Sequence, residues 1–280
     1  MRRDPARLLR VAALIVGVPK ASSLWTLRAL ADLPIDLRVV RAAKGSRVTR
    51  RQRTKSLILQ HGVVATASRV AGSALFGRWD QRTKDARLDT LFDAETLRAW
   101  WRDSGITPVQ VSHLNNPDSH QALDTIAPDV IVRVSGGILK TATFSRARLA
   151  TLNIHHGIAP DIRGMWSIPW GLIEGRADWI GATVHLIDEG IDTGDVLWRG
   201  GPQVALGDTG DDLFFRSHLL AVQALCRVVL AYAGGETPAA VGIPADIDSQ
   251  YRTAPGLQQW IAYWWSRRGA RSRVVRDSVR

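Results

Sequence analysis

The sequence carries one cysteine, Cys226, which rules out an internal disulfide and excludes a cysteine-rich metal site. Tyrosine and phenylalanine are sparse, three and five, yet there are eleven tryptophans. Rings of that size are expected in the core or between packed segments. Acids are outnumbered, 26 against 37 Lys and Arg, for a formal charge of +11. A positive field suits phosphates or nucleic acid, but much of the excess sits in residues 41–55 and 267–280. Such runs are ordinarily solvated tails and helix faces, so nucleic acid is not the expected partner.

No membrane span is expected. The apolar stretch 11–18 near the N-terminus is too short to cross a bilayer and lacks a small-residue cleavage site, and Asp4 and Pro5 spoil the basic start before it. It reads as a buried first strand, and the chain is expected to be cytoplasmic. Internal repeats and low-complexity linkers are also missing. With 280 residues the chain can bury a substantial core unaided.

What is present is a strand-and-helix rhythm. Residues 10–18 form an apolar strand ending at Gly17. Ser22-Ser23 then opens a helical pattern, Leu24, Leu27 and Leu30, that stops at Asp32-Leu33-Pro34. Residues 36–42 and 109–111 read as strands, with a helical insertion over 47–101 between them and a helix over 117–126 capped by Asp118. Residues 129–134 form an apolar strand of parallel-sheet type interrupted only by Arg133. A helical link over 143–148 leads to a strand, 149–154, that runs into His155-His156-Gly157. A helix (166–174), a strand (181–187) and a glycine-bounded loop (190–194) follow. After Gly207 the chain reads helical through Tyr232, irregular over 234–252, and as a tryptophan-rich amphipathic helix over 257–268.

Polar groups gather where strands end, and that is where an open parallel sheet binds its ligands. Asn153 and His155 alternate on one strand, which puts both side chains on the same face. Asp192 lies in the loop after the next strand, where Gly190 and Gly194 give the backbone freedom to bring it close. An amide, an imidazole and a carboxylate can serve a developing oxyanion, a travelling proton and a cationic nitrogen. The plainer alternative is a capped turn and a loop carboxylate bonded to its own backbone. His156 faces away from this pair by alternation and reads as structural or acceptor-facing rather than catalytic.

The wider pattern decides between these. Asn153-Ile154-His155 with Pro160, Arg163 and Gly164, then Gly181, Thr183, Val184 and His185, then the run from Asp188 to Asp195 (DEGIDTGD) resembles the folate-dependent formyltransferases. The strong resemblance spans residues 129–204, and a weaker one covers the first strand and helix. It implies an α/β, Rossmann-like fold: an open, mostly parallel sheet with helices on both faces, plus a helical C-terminal extension. The domains are expected as 1–206, with the insertion at 47–101 and the core at 129–204, and 207–280. By the resemblance Asn153, His155 and Asp192 are catalytic and 10-formyltetrahydrofolate is the co-substrate. The folate ring would lie against Ser135, Gly136, Gly137, Ile138 and Leu139 and against Asp188, Glu189, Gly190, Ile191 and Thr193. His185 either contacts the folate or is a satisfied core histidine. His155 is expected as an imidazolium, kept charged by Asp192. No metal is expected, since His, Asp and Cys do not cluster at ligand spacing.

The sequence departs from the family pattern at His156-Gly157-Ile158-Ala159 and carries a tryptophan-rich stretch at 165–170, both on the expected acceptor side. Lys20, Ser22, Ser23, Arg163 and Trp166 are the candidate acceptor residues, the first three as a phosphate site at a helix N-terminus. The glycinamide-ribonucleotide enzymes have close-approach glycines there that this turn lacks. Methionyl-tRNA formyltransferases add a β-barrel for which the helical-reading chain after residue 207 is too short. A small phosphorylated amine, such as a nucleotide-linked amino sugar, is therefore the expected acceptor, with a homodimer as the candidate assembly. A non-catalytic folate or nucleotide-sugar binding protein is the alternative of another class.

Overall fold

The computed structural model describes residues 7–43, 50–72, 78–205, 207–244 and 246–269. Of the two basic runs, residues 44–49 and 270–280 lie outside these. In chain order the strands are β1 (Leu9–Val16), β2 (Ile35–Ala42), β3 (Val109–Val111), β4 (Val130–Arg133), β5 (Ala150–His155), β6 (Ile162–Gly164), β7 (Ala182–Leu186), β8 (Val196–Gly200) and β9 (Gln250–Arg252). Seven of them form one sheet in the order β3-β2-β1-β4-β5-β7-β8, while β6 pairs with β9 in a separate parallel ladder. Strands β3 to β5 run parallel, and β7 and β8 are added antiparallel at the edge. This is the expected open, mostly parallel α/β sheet. The apolar stretch near the N-terminus is its central strand, with Val11 to Ile15 fully buried on both faces.

Alternation along the strands sorts the core into two layers. On one face Leu9, Val11, Val130, Val132, Leu152 and Val184 meet helix α1 (Ala21–Ala31) through Leu30 and helix α8 (Gly210–Ala233) through Leu225, Val228 and Val229. On the other, Ala12, Leu14, Val40 and Ile131 meet Leu123 and Ile126 of helix α5 (Pro117–Ile126) and Leu139, which precedes the short helix α6 (Thr141–Phe144). Each such fully buried Leu or Ile contributes roughly 2 kcal/mol. Helix α8 begins with a capping box between Thr209 and Asp212. By length and composition it is apolar enough to cross a membrane, but half of it is buried on the sheet as a core helix.

The insertion is helical, as its spacing predicts: α2 (Arg50–Gly72, interrupted at Gly62, φ +79°), α3 (Arg78–Leu91) and α4 (Ala94–Asp103). Leu88, Phe92 and Leu97 anchor it to Ala21 and Leu24 of α1 and to Phe215 of α8. Helix α7 (Ser167–Glu174) and helix α9 (Leu257–Gly269) are the remaining α-helices among the described residues.

Some local expectations fail. Asp118 does not cap α5; Asn116 holds that position, and Asp118, one residue into the helix, accepts the Ser112 amide at 2.5 Å. The link expected over 143–148 is a helix over 141–144, started by Lys140. The tail 234–252, expected to be irregular, ends in β9, which clamps the chain after Pro160: Gln250 N donates to the Asp161 carbonyl and Met165 N to the Arg252 carbonyl, both at 2.9 Å.

Candidate functional site

At the carboxyl end of β5 the buried Asn153 and His155 point to the same side of the sheet, as alternation requires. Register places Arg133 of β4 beside Asn153 on one side and His185 of β7 on the other. Asn153 Nδ2 donates to His185 Nε2 at 2.9 Å, and His185 Nδ1 donates to the Leu186 carbonyl at 2.7 Å. An amide nitrogen carries two hydrogens, so Asn153 retains one, and its side chain lines a cavity of about 560 Å³.

Asp192 enters this cavity from the loop after β7 with a left-handed backbone, φ +54°. Such a conformation costs a non-glycine residue on the order of 1 kcal/mol, and Asp tolerates it better than most. Its Oδ2 takes the Gly164 amide at 3.0 Å and lies 3.2 Å from His155 Nδ1, and its Oδ1 is 3.5 Å from His185 Nε2. Burial by itself raises this carboxyl. The contacts with His185 and His155 and the Gly164 amide outweigh it and bring the pKa down to about 2. Asp192 is therefore ionised throughout the neutral range.

His155 differs from the expectation. Its Nε2 lies 3.0 Å from the Ile162 carbonyl and 3.3 Å from Ser167 Oγ, so both ring nitrogens face groups of the protein. Burial pushes its pKa down and outweighs the opposing pull of Asp192; His185 and Arg133 press the same way as burial. Desolvation disfavours the imidazolium here, while the two acceptors the ring faces, the Asp192 carboxylate and the Ile162 carbonyl, favour it. Gly157 is fixed by close approach here, since a Cβ on it would stand 2.6 Å from His155 Nε2 and from Ser167 Cβ.

One wall of the cavity is formed by Gly136, Gly137, Ile138 and Leu139 after β4 and by Ile187, Asp188, Gly190 and Ile191 after β7. Gly136 has φ +128°, and a Cβ there would meet Val16 at 2.9 Å. Of the residues expected on this wall, Ser135, Glu189 and Thr193 do not line the cavity. Ser135 Oγ accepts the Val16 amide at 3.1 Å, Glu189 accepts from Thr141 at 3.2 Å, and Thr193 Oγ1 donates to Asp188 at 2.8 Å.

The opposite wall comes from distant segments. Trp166, φ +65°, lies edge-on to Trp260 of α9 at 5.1 Å, and Tyr251 and Tyr263 border the same space. Lys84 of α3 stands over the rings of Phe214 and Trp166 at 4.7 and 5.6 Å. Of the expected acceptor residues only Trp166 lines the cavity. Lys20 pairs with Asp85 at 2.8 Å, the Ser22 carbonyl faces His218, Ser23 is buried in α1, and Arg163 Nε donates to Ser249 at 2.9 Å. Sequence reading did not place Lys84, Arg133, Phe214, Tyr251 or Tyr263 here. Only Arg133 left a signal, as the one charge in an apolar strand. Its half-buried side chain lines the cavity and donates to the Gly136 carbonyl at 3.3 Å.

Comparison with known proteins adds a family to this geometry. A methionyl-tRNA formyltransferase of Anaeromyxobacter dehalogenans is 31% identical over 170 residues, covering 60% of this chain and 54% of the relative. One from Lachnospira eligens is 34% identical over 122 residues, covering 41% and 38%. The chain thus spans about half the length, or less, of the curated relatives it matches. The crystal structure of glycinamide ribonucleotide transformylase 1 from Symbiobacterium toebii shares the fold, with TM-score 0.52 at 14% identity over 81% of this chain and 89% of that one. A sugar N-formyltransferase from a Shewanella species does so with TM-score 0.50 at 13% identity, over 92% and 88%. Residues 66–229, more than half of the sequence and the whole of the Asn153, His155 and Asp192 constellation, match the formyl transferase family, and the chain belongs to it.

Proposed function

We propose that this protein transfers a formyl group from 10-formyltetrahydrofolate to a primary amine of a small phosphorylated acceptor, such as a nucleotide-linked amino sugar. The observation that carries the reading is the convergence of Asn153 and His155, from the end of β5, and Asp192, from the loop after β7, on one cavity. A reduced folate fits the first wall. Gly136 and Gly137 leave backbone open to a flat ring, and Ile138 and Ile191, 68% and 37% exposed, offer apolar surface to cover. The free amide hydrogen of Asn153 donates to the formyl oxygen as negative charge develops on it. The ionised Asp192 holds the attacking amine as its nitrogen becomes positive, and His155, bonded to Asp192 and the Ile162 carbonyl, keeps that carboxylate aimed.

The acceptor reading rests on the second wall. Lys84 amid Trp166 and Phe214 suits an anionic ligand with a flat base, and cation and rings together select it better than either alone. Transfer to methionyl-tRNA is the second reading, favoured by the names of the relatives matched in sequence. Incubation with 10-formyltetrahydrofolate and a panel of uridine- and thymidine-diphosphate amino sugars, glycinamide ribonucleotide and charged initiator tRNA separates these. Formylation of an amino-sugar nucleotide, with affinity weakening only modestly in salt, is expected. Preference for tRNA with a steep salt dependence sinks the acceptor reading, and saturable folate binding without transfer to any amine makes the protein a binding module.

A further inference from the structure

Three imidazoles line the cavity and a fourth, His218, stands behind one of them, and their hydrogen bonds separate the four. His155 has Nδ1 on Asp192 and Nε2 on the Ile162 carbonyl. His185 has Nδ1 on the Leu186 carbonyl and Nε2 on the Asn153 amide. His218 of α8 has Nε2 3.0 Å from the Ser22 carbonyl and 3.1 Å from Thr26 Oγ1, and its Nδ1 lies 3.0 Å from His156 Nε2. Only His156 keeps a ring nitrogen, Nδ1, with no hydrogen-bond partner among the described residues, and its half-buried ring lines the cavity.

The tautomers follow from the fixed end of this chain. A carbonyl oxygen only accepts, so His218 Nε2 carries the hydrogen given to Ser22. His218 Nδ1 is then a lone pair, His156 Nε2 donates to it, and His156 Nδ1 is left as a lone pair in turn. Phe214 stacks on the His156 ring at 4.3 Å and Phe92 meets His218 edge-on at 5.5 Å, which holds both ring planes. Burial first, then His218 from α8, His155 from β5, Lys84 from α3 and Arg133 from β4, push the His156 pKa well below its usual value. Asp211, in the first turn of α8, borders the same space. At neutral pH the ring is therefore uncharged.

We propose that His156 Nδ1 takes the proton of the attacking amine, and that His218 and the Ser22 carbonyl are the groups that hold it in the tautomer that can. The proposal rests on the formyl-transfer reading above. The acceptor nitrogen bonds to the formyl carbon, becomes positive and loses a proton to His156. The bond from that carbon to the folate nitrogen then breaks, its electron pair goes to the leaving nitrogen, and the proton follows from His156, directly or through water. The ring ends neutral, and nothing is consumed beyond donor and acceptor.

The test uses steady-state transfer from 10-formyltetrahydrofolate to the amino-sugar nucleotide panel, in parent and variants. His156→Gln is expected to lower kcat at pH 7 by about a hundredfold, with the folate KM within about twofold and the loss shrinking as pH rises. His218→Gln, whose amide can serve both Ser22 and His156, should stay within about fivefold of the parent, whereas His218→Leu should fall like His156→Gln and move the acid limb of the profile upward. Long-range nitrogen-15 spectra of the parent should show His156 protonated on Nε2. A His156→Gln kcat within about threefold of the parent, equal losses in the two His218 variants, or a proton on Nδ1 overturns the proposal. An active parent with an indifferent His156 sinks this proposal alone. A parent that transfers formyl to no amine sinks the formyl-transfer reading and takes this proposal with it.

Discussion

One wall of the cavity, residues 136–139 and 187–191, is largely backbone, glycine and isoleucine on the ends of β4 and β7. The other is made of large side chains, Lys84, Trp166, Phe214, Tyr251 and Tyr263, brought together from segments far apart in sequence. Backbone presented by a sheet edge is a shape that many sequences can hold, and it suits a ligand common to a whole family. Side chains assembled over long distances are free to change without disturbing the sheet, and they suit a ligand that differs from member to member. Asn153, His155 and Asp192 stand where the two walls meet.

The largest effect is expected at that seam. Asn153→Ala should lower formyl transfer by on the order of a hundredfold or more while leaving folate affinity within a few-fold, because the amide serves the oxyanion and not the ring. Loss of folate binding in step with rate would instead assign Asn153 to the donor wall. Gly157→Ala comes next. The added methyl is forced against His155 and Ser167, and displacing His155 should cost on the order of tenfold to a hundredfold in kcat with the fold intact by circular dichroism. A rate equal to the parent's would mean that His155 does not need its place.

The layer behind the side-chain wall, where His218 stacks on Phe214, should also reveal itself in stability. Burial holds His218 down to about 4 from its usual 6.5, so the unfolded chain takes up a proton well before the folded one does. The contribution is complete above pH 6.5 and is lost as pH falls from 6.5 to 4, a change on the order of 3 kcal/mol. Urea unfolding of the parent and of His218→Gln across that window checks it, with a flatter profile expected in the variant. Identical profiles would remove His218 as the cause. The smallest effect is expected at Lys20, whose exposed pair with Asp85 is worth at most about 1 kcal/mol. Lys20→Ala should change acceptor KM by less than about twofold; a large rise would restore the helix N-terminus as a phosphate site.

How far the sequence could be read follows the same division. Strand alternation alone put Asn153 and His155 on one face, and the glycines around Asp192 signalled a loop able to reach them. The rhythm of apolar runs was enough for the open parallel sheet, its first strand and the helical insertion. Local patterns could not tell that the apolar face of α8 lies against β5, β7 and β8, because an amphipathic helix announces that it will be covered and not by what. Nor could they show β9 or the Lys84 and Tyr263 contributions, which depend on contacts over long stretches of chain. The downward pull of burial on the His155 pKa could not be read from the sequence, because proximity to Asp192 is visible in a motif and desolvation is not.

The account turns on Asp192 as an ionised carboxylate at the reacting centre rather than a support for its own loop. Asp192→Asn keeps the size and most hydrogen bonding while removing the charge, so single-turnover transfer and folate binding should be measured on it together with the His155 titration by NMR. The expected result is transfer reduced by at least about a hundredfold, folate affinity within a few-fold of the parent, and a His155 pKa lower still than in the parent, since of the two groups that draw it upward the larger, Asp192, has lost its charge and only the Ile162 carbonyl remains. Transfer at the parental rate with folate binding collapsed would contradict it and make Asp192 a loop residue.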